Sequence, residues 1–142
     1  MERTFHTEAQ LSAFATDFSR TLRAGDVVGL SGPLGAGKTS FVRAVVRALH
    51  GDDPTTSPTF TFWHRYAPRS AEQTPIDHLD LYRVDNPAEL TELGLEEAFA
   101  GDSIVLVEWW RNAPSLLPAR RYEIEIDGKG DEPRSLRIAV PQ

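Results

Sequence analysis

The chain has 142 residues, of which 40% are hydrophobic and 25% charged, enough for the core of one compact domain with no length left for a second. A net charge of −6 and a pI near 5.2 oppose non-specific attachment to phosphate backbones, so any nucleic acid is expected to be held by a partner. The lack of Cys excludes a disulfide framework, a thiolate nucleophile and a zinc–thiolate site. Residues 1–20 carry charges throughout, and the longest apolar runs are as short as Ile104 to Val107, so a cytoplasmic location without membrane attachment is the expectation.

Glu2 to Phe5 reads as a short strand. Thr7 with Gln10 three residues later forms a capping box, after which Leu11, Phe14, Ala15, Phe18 and Leu22 recur at helical spacing until Gly25. Asp26 to Ser31 reads as a buried strand, and Ser40 to Leu49 as a helix with Gly51 past its end. Thr59 to Tyr66 alternates as a single strand would, with Phe60, Phe62, His64 and Tyr66 on one face. Ile76 to Tyr82 is a further strand. Asn86 before Pro87 opens one or two short helices over Ala88 to Ala100, broken near Gly94. Ile104 to Val107, the most apolar run, reads as a central strand, and Arg121 to Val140 as a hairpin turning through Asp127 to Asp131. Strands alternating with helices predict an α/β fold: a mixed, mainly parallel sheet flanked by helices, like that of phosphate-loop nucleoside triphosphatases, ending in a β-hairpin.

Between the predicted strand and helix lies Gly32-Pro33-Leu34-Gly35-Ala36-Gly37-Lys38-Thr39, which matches the phosphate-binding pattern G-x-x-x-x-G-K-[ST]. Glycines let the backbone turn its N–H groups inward around a phosphate, in space that no side chain could share. Lys38 is placed to reach the β- and γ-phosphate oxygens and the Thr39 hydroxyl to ligate Mg²⁺, with the positive end of the helix dipole facing the anion. Only Lys38 and Lys129 are lysines among the 15 basic residues, so the lysine in this loop stands out against an arginine background.

Such a loop needs a carboxylate at the end of a neighbouring hydrophobic strand, to hold Mg²⁺ directly or through water. Glu108, directly after Ile104 to Val107, and Asp80 in His78-Leu79-Asp80-Leu81-Tyr82-Arg83 both fit. The alternative for each is an ordinary strand acid paired with an arginine. Ser57-Pro58-Thr59-Phe60 stands where segments that sense a γ-phosphate occur in these folds, though Pro58 alone would also explain a turn. Trp109 and Trp110 suit a nucleotide-site floor, a partner surface or plain packing. The four His residues show no ligand spacing, and His78 reads as a hydrogen-bonded strand residue rather than a base. Asn86 and Asn112 are the only asparagines and neither begins N-K-x-D, so ATP is favoured over GTP.

Taken together, Gly32-Pro33-Leu34 with Gly35-Ala36-Gly37-Lys38-Thr39, Ser57-Pro58-Thr59-Phe60, His78-Leu79-Asp80-Leu81-Tyr82-Arg83 and Val107-Glu108-Trp109 resemble, in order and spacing, the TsaE family, bacterial ATPases of tRNA threonylcarbamoyladenosine biosynthesis. Pro33 departs from the Asp or Glu usual there, and Trp110 from a common Pro. The resemblance implies a weak ATPase that docks on TsaB- and TsaD-type transferase subunits, which place a threonylcarbamoyl group on the adenosine next to the anticodon. This chain would meet tRNA only through that complex. It further implies that the loop from Gly32, with Gly35, Ala36, Gly37, Lys38, Thr39 and Ser40, carries the triphosphate, and that Thr39 and Glu108 hold Mg²⁺. Asp80 would serve the attacking water or the Mg²⁺ shell, and Thr59 the switch contact. Thr7, Glu8 and Arg134 would border the adenine side. Lys38 would offset charge in the phosphoryl-transfer transition state, and Arg83 or a partner's arginine would complete it, so hydrolysis by the chain alone is expected to be slow. Two alternatives stay open: a small-molecule kinase, disfavoured because the length leaves little for a lid, and a nucleotide-gated binding module without turnover.

Overall fold

The computed structural model describes residues 1–52, 56–60 and 62–141, with 56–60 described as a strand path alone. Strand β1 (Glu2–Phe5) leads into helix α1 (Glu8–Ser19). The Thr7 hydroxyl accepts the Gln10 N–H at 3.1 Å, and Gln10 Oε1 accepts the His6 N–H at 2.7 Å. The expected capping box is therefore present, with its return bond one residue earlier than usual. Strand β2 (Val27–Ser31) and helix α2 (Lys38–His50) flank the glycine loop, and the helix ends at Gly51.

The region read as one strand over Thr59 to Tyr66 is instead two antiparallel strands, β3 (Thr56–Phe60) and β4 (Trp63–Tyr66), with Phe60 opposite Trp63. Aromatic and β-branched residues suit a strand on either side of a chain reversal, and the sequence between Phe60 and Trp63 has no Gly, Asn or Pro to mark one. Strand β3 is the edge of the sheet, the place where Pro58, lacking an N–H, is tolerated. Next come β5 (Ile76–Asp80), α3 (Ala88–Glu92) and a 3₁₀ helix over Leu95–Phe99, broken from α3 at Gly94. Asn86 Oδ1 accepts the Ala88 N–H at 3.1 Å and so opens α3 as expected. Strand β6 (Ile104–Glu108), 3₁₀ turns at Trp110–Asn112 and Pro114–Leu116, and the hairpin of β7 (Tyr122–Asp127) and β8 (Arg134–Ala139) complete the chain. No helix among the described residues is long and apolar enough to cross a membrane.

The strands form one sheet in the order β1-β8-β7-β2-β6-β5-β4-β3. The central strands β7, β2, β6 and β5 are mutually parallel, and both margins are antiparallel. Parallel strands bury both faces, which explains why every residue of Ile104–Glu108 is buried. One face carries Val28, Leu30, Ile104, Leu106, Ile124 and Ile126 under α1 and α2, where Phe18 and Phe41 pack with ring centroids 5.8 Å apart. The other carries Val27, Leu79, Val105 and Val107 under Leu90, Leu95, Trp110 and Leu117. On that face Trp110 lies against Gly29, where a Cβ would come within 2.7 Å of the indole.

A buried carboxylate fastens the β4 margin to the parallel core. Asp77 is fully buried and accepts hydrogen bonds from Trp63 Nε1 at 2.8 Å, Arg65 Nη1 at 2.9 Å and Ser103 Oγ at 2.7 Å. Three donors on β4 and at the start of β6 thus converge on one residue of β5, which meets the rule that a buried charge must be paired.

Candidate functional site

The C-terminal ends of β2, β5 and β6 open onto the N-terminus of α2, and the glycine loop spans the gap. Gly32 sits at φ 139°, and a Cβ there would collide with the Ile126 carbonyl oxygen, so the loop's first position admits only glycine. Gly37, the N-cap of α2, has φ 117° and offers no side chain to cap the helix, and no acidic residue stands in the first turn. The first amides of α2 accordingly lack the side-chain capping acceptor that Thr7 supplies to α1. An uncapped helix N-terminus with a lysine and two hydroxyls beside it is chemically suited to an anion.

The Lys38 side chain is tucked into this opening. Its Nζ donates to the carbonyls of Gly32 at 2.5 Å and Pro33 at 2.9 Å, and lies 4.4 Å from the centre of the Trp109 ring. Burial pushes its ammonium below the usual lysine range, with the carboxylates of Glu108 and Asp80 opposing the shift. Trp109 adopts a left-handed conformation, φ 58°, the only non-glycine residue among those described to do so. That conformation is strained for a bulky side chain and turns the ring over Lys38, 4.9 Å from the ring of Tyr82. Trp109 thus floors the opening and Trp110 packs in the core, dividing between them two of the roles considered for the pair.

Glu108 is buried, and its two carboxylate oxygens are separately held. Oε1 accepts the Thr39 hydroxyl at 3.0 Å, and Oε2 lies 2.6 Å from His78 Nε2. The acid is paired with a hydroxyl and a histidine rather than an arginine. Asp80, last residue of β5, is the register partner of Glu108, and its Oδ1 accepts the Tyr82 N–H at 3.1 Å. Lys38, Thr39, Asp80, Tyr82, Glu108 and Trp109 all line one cleft of about 220 Å³. Arg83 is exposed and is not among its lining residues.

A second cleft, of about 350 Å³, lies on the other side of the loop, lined by Thr7, Glu8, Gly35, Ala36, Ser40 and Arg134 among others. Both Thr7 and Arg134 border it, yet their polar atoms are engaged in building it. Arg134 reaches from β8 to donate to the carbonyls of Ala36 at 3.0 Å and Gly35 at 3.4 Å, and to those of Gly130 at 3.1 Å and Glu132 at 2.6 Å. By holding loop carbonyls on its own side, the guanidinium braces the loop conformation. The Ser40 hydroxyl donates to Glu8 at 3.2 Å, joining α1 to α2 at the same rim. The Thr59 side chain, the expected switch contact, lies outside the described residues.

The bond from His78 to Glu108 is marked by no motif in the sequence. Period-two alternation puts His78 and Asp80 on one face of β5, and pairing β5 beside β6 would have brought both to Glu108.

Comparison with known proteins bears on fold and family. The family profile described as threonylcarbamoyl adenosine biosynthesis protein TsaE matches residues 5–136. The tRNA threonylcarbamoyladenosine biosynthesis protein TsaE of Rickettsia bellii is 36% identical over 137 residues, covering 94% of this chain and 90% of the relative. Its Bacillus subtilis namesake is 36% identical over 118 residues, covering 83% and 72%. A crystal structure of Bacillus subtilis YdiB superposes with a TM-score of 0.80 at 30% identity, covering all of this chain and 86% of that one. A profile match across almost the whole length and relatives above 30% identity place the chain in the TsaE family.

Proposed function

We propose that this chain binds ATP with Mg²⁺ at the glycine loop and hydrolyses it slowly, supporting threonylcarbamoyl transfer to the tRNA adenosine next to the anticodon by docking on TsaB- and TsaD-type transferase subunits. The observation that carries the reading is the uncapped start of α2, with Lys38, Thr39 and Glu108 gathered in the cleft at its end. Loop amides and the α2 dipole meet the charge of the β-phosphate, and Lys38 exchanges its two carbonyl acceptors for phosphate oxygens. Asp80, in the same cleft, would orient water against the γ-phosphate, with Trp109 and Tyr82 bordering that side.

The donor set suits a hard cation: a threonine hydroxyl and a glutamate carboxylate already in contact, with a second carboxylate on the neighbouring strand. Among the described residues, no group of three or more His, Cys, Asp or Glu converges into a complete metal site. Thr39 and Glu108 would therefore share the ion with phosphate oxygens and water, as Mg²⁺ commonly requires. Bound Mg²⁺ would neutralise charge developing on the phosphate oxygens.

The family resemblance supports the tRNA role, because the relatives are named for that biosynthesis. The chain's acidic balance fits a division of labour in which partners hold the tRNA. Reconstitution of the modification from ATP, threonine, bicarbonate and the other family components, with and without this chain, tests the reading. Omission is expected to stop multiple turnover. Undiminished turnover without the chain would refute the role, and ATP consumption that requires a small-molecule acceptor would favour a kinase.

A further inference from the structure

Glu108 and His78 form a contact that the nucleotide reading leaves unused. The two side chains are 3% and 12% exposed, and their polar atoms meet at 2.6 Å between neighbouring parallel strands. A carboxylate can only accept, so the ring nitrogen facing it carries the proton: His78 donates through Nε2–H. The other oxygen of Glu108 is then the one in contact with Thr39.

We propose that His78 is a positioning residue that fixes the rotamer of Glu108 and thereby pre-forms the pair of oxygen donors, Thr39 Oγ1 and Glu108 Oε1, for a divalent cation. The inference rests on the reading of those two residues as cation ligands. Glutamate has several rotatable bonds whose freedom must be lost when its carboxylate is held in one orientation. The bond from His78 removes that freedom before any ion arrives, so the ion need not supply the ordering itself. The geometry allows no easy substitute. His78 is set two residues before Asp80 on the same strand face, and its contact with Glu108 is made between two buried or largely buried side chains. The ring also lies 6.2 Å from that of His64, its register partner on β4, so that β4 packs beside the same positioning group.

The test compares the affinity for ATP in EDTA with that in Mg²⁺, by calorimetry, for the parent chain, His78→Ala and His78→Gln, with Mn²⁺ titration by electron paramagnetic resonance as a second reading of cation binding. His78→Ala is expected to lower the Mg²⁺-dependent gain and the Mn²⁺ affinity by about 10- to 100-fold while leaving ATP affinity in EDTA nearly unchanged. His78→Gln keeps an N–H of similar reach and is expected to recover most of the loss. An alanine variant with the parent's cation dependence, a glutamine variant no better than alanine, or an equal loss with and without cation would overturn the proposal. If the parent itself gains nothing from Mg²⁺ but binds ATP in EDTA, the cation site falls and the role of His78 with it, while the phosphate loop stands.

Discussion

Replacing Lys38 by Met separates what the lysine does for the fold from what it does for a ligand. In the free protein its ammonium is buried, donates to two carbonyls and lies over the Trp109 ring. Losing two hydrogen bonds from a charged donor costs about 1.5–3 kcal/mol each, and relief of the buried charge returns several kcal/mol. These contributions nearly cancel, so the nucleotide-free variant is expected to stay within about 2 kcal/mol of the parent in urea denaturation. Binding is different. Removing one partner of a desolvated charge pair costs about 2–5 kcal/mol, a loss of roughly 30- to 5,000-fold in affinity for Mg-ATP by calorimetry. The depressed pKa adds a dependence on pH. Between that lowered value and the usual 10.5 the unfolded chain binds more protons at this site than the folded one, so the Lys38 contribution makes stability rise with pH across this window. In Lys38→Met that contribution is absent. Phosphate favours the charged form, so the parent is expected to take up protons on binding ATP in the same window, read from calorimetry in buffers of different ionisation heat. A variant that binds Mg-ATP within threefold of the parent, or that loses far more than 2 kcal/mol of stability, would refute the reasoning.

Asp80→Ala is expected to bind Mg-ATP with nearly the parent's affinity and to lose hydrolysis, measured by phosphate release; equal loss of binding would reassign Asp80 to structure. Asp77→Ala strips the shared acceptor from Trp63, Arg65 and Ser103 and is expected to cost about 3–5 kcal/mol in urea denaturation. A cost under about 1 kcal/mol would mean those donors find other acceptors readily. Gly32→Ala forces a Cβ toward the Ile126 carbonyl at a φ of 139° and is expected to abolish detectable Mg-ATP binding in calorimetry, whereas parent-like binding would show that the loop can move aside.

Much of this molecule was legible because its signals are local. The glycine loop, the Thr7 cap, the apolar run ending in Glu108 and the turn from Asp127 to Asp131 each lie within a few consecutive residues, and each stands where it was expected. The division of β3 from β4 was not legible, because alternation continues across a turn that lacks turn residues. Nor were contacts fixed by sheet register. Asp77 gathers donors from positions 63, 65 and 103, His78 meets a residue 30 positions away, and Arg134 braces carbonyls 98 and 99 positions away. Thr7 and Arg134 line the second cleft, and the intramolecular bonds their polar atoms make there are a detail that residue type alone does not carry.

ATP binding as proposed requires the N-terminus of α2 to receive the triphosphate, and a crystal structure with Mg²⁺ and a non-hydrolysable ATP analogue tests this most directly. The expected result has phosphate oxygens against the amides of residues 35–40, and Lys38 Nζ moved off the carbonyls of Gly32 and Pro33 onto phosphate. A nucleotide bound elsewhere, with Lys38 still hydrogen-bonded to those carbonyls, would contradict it.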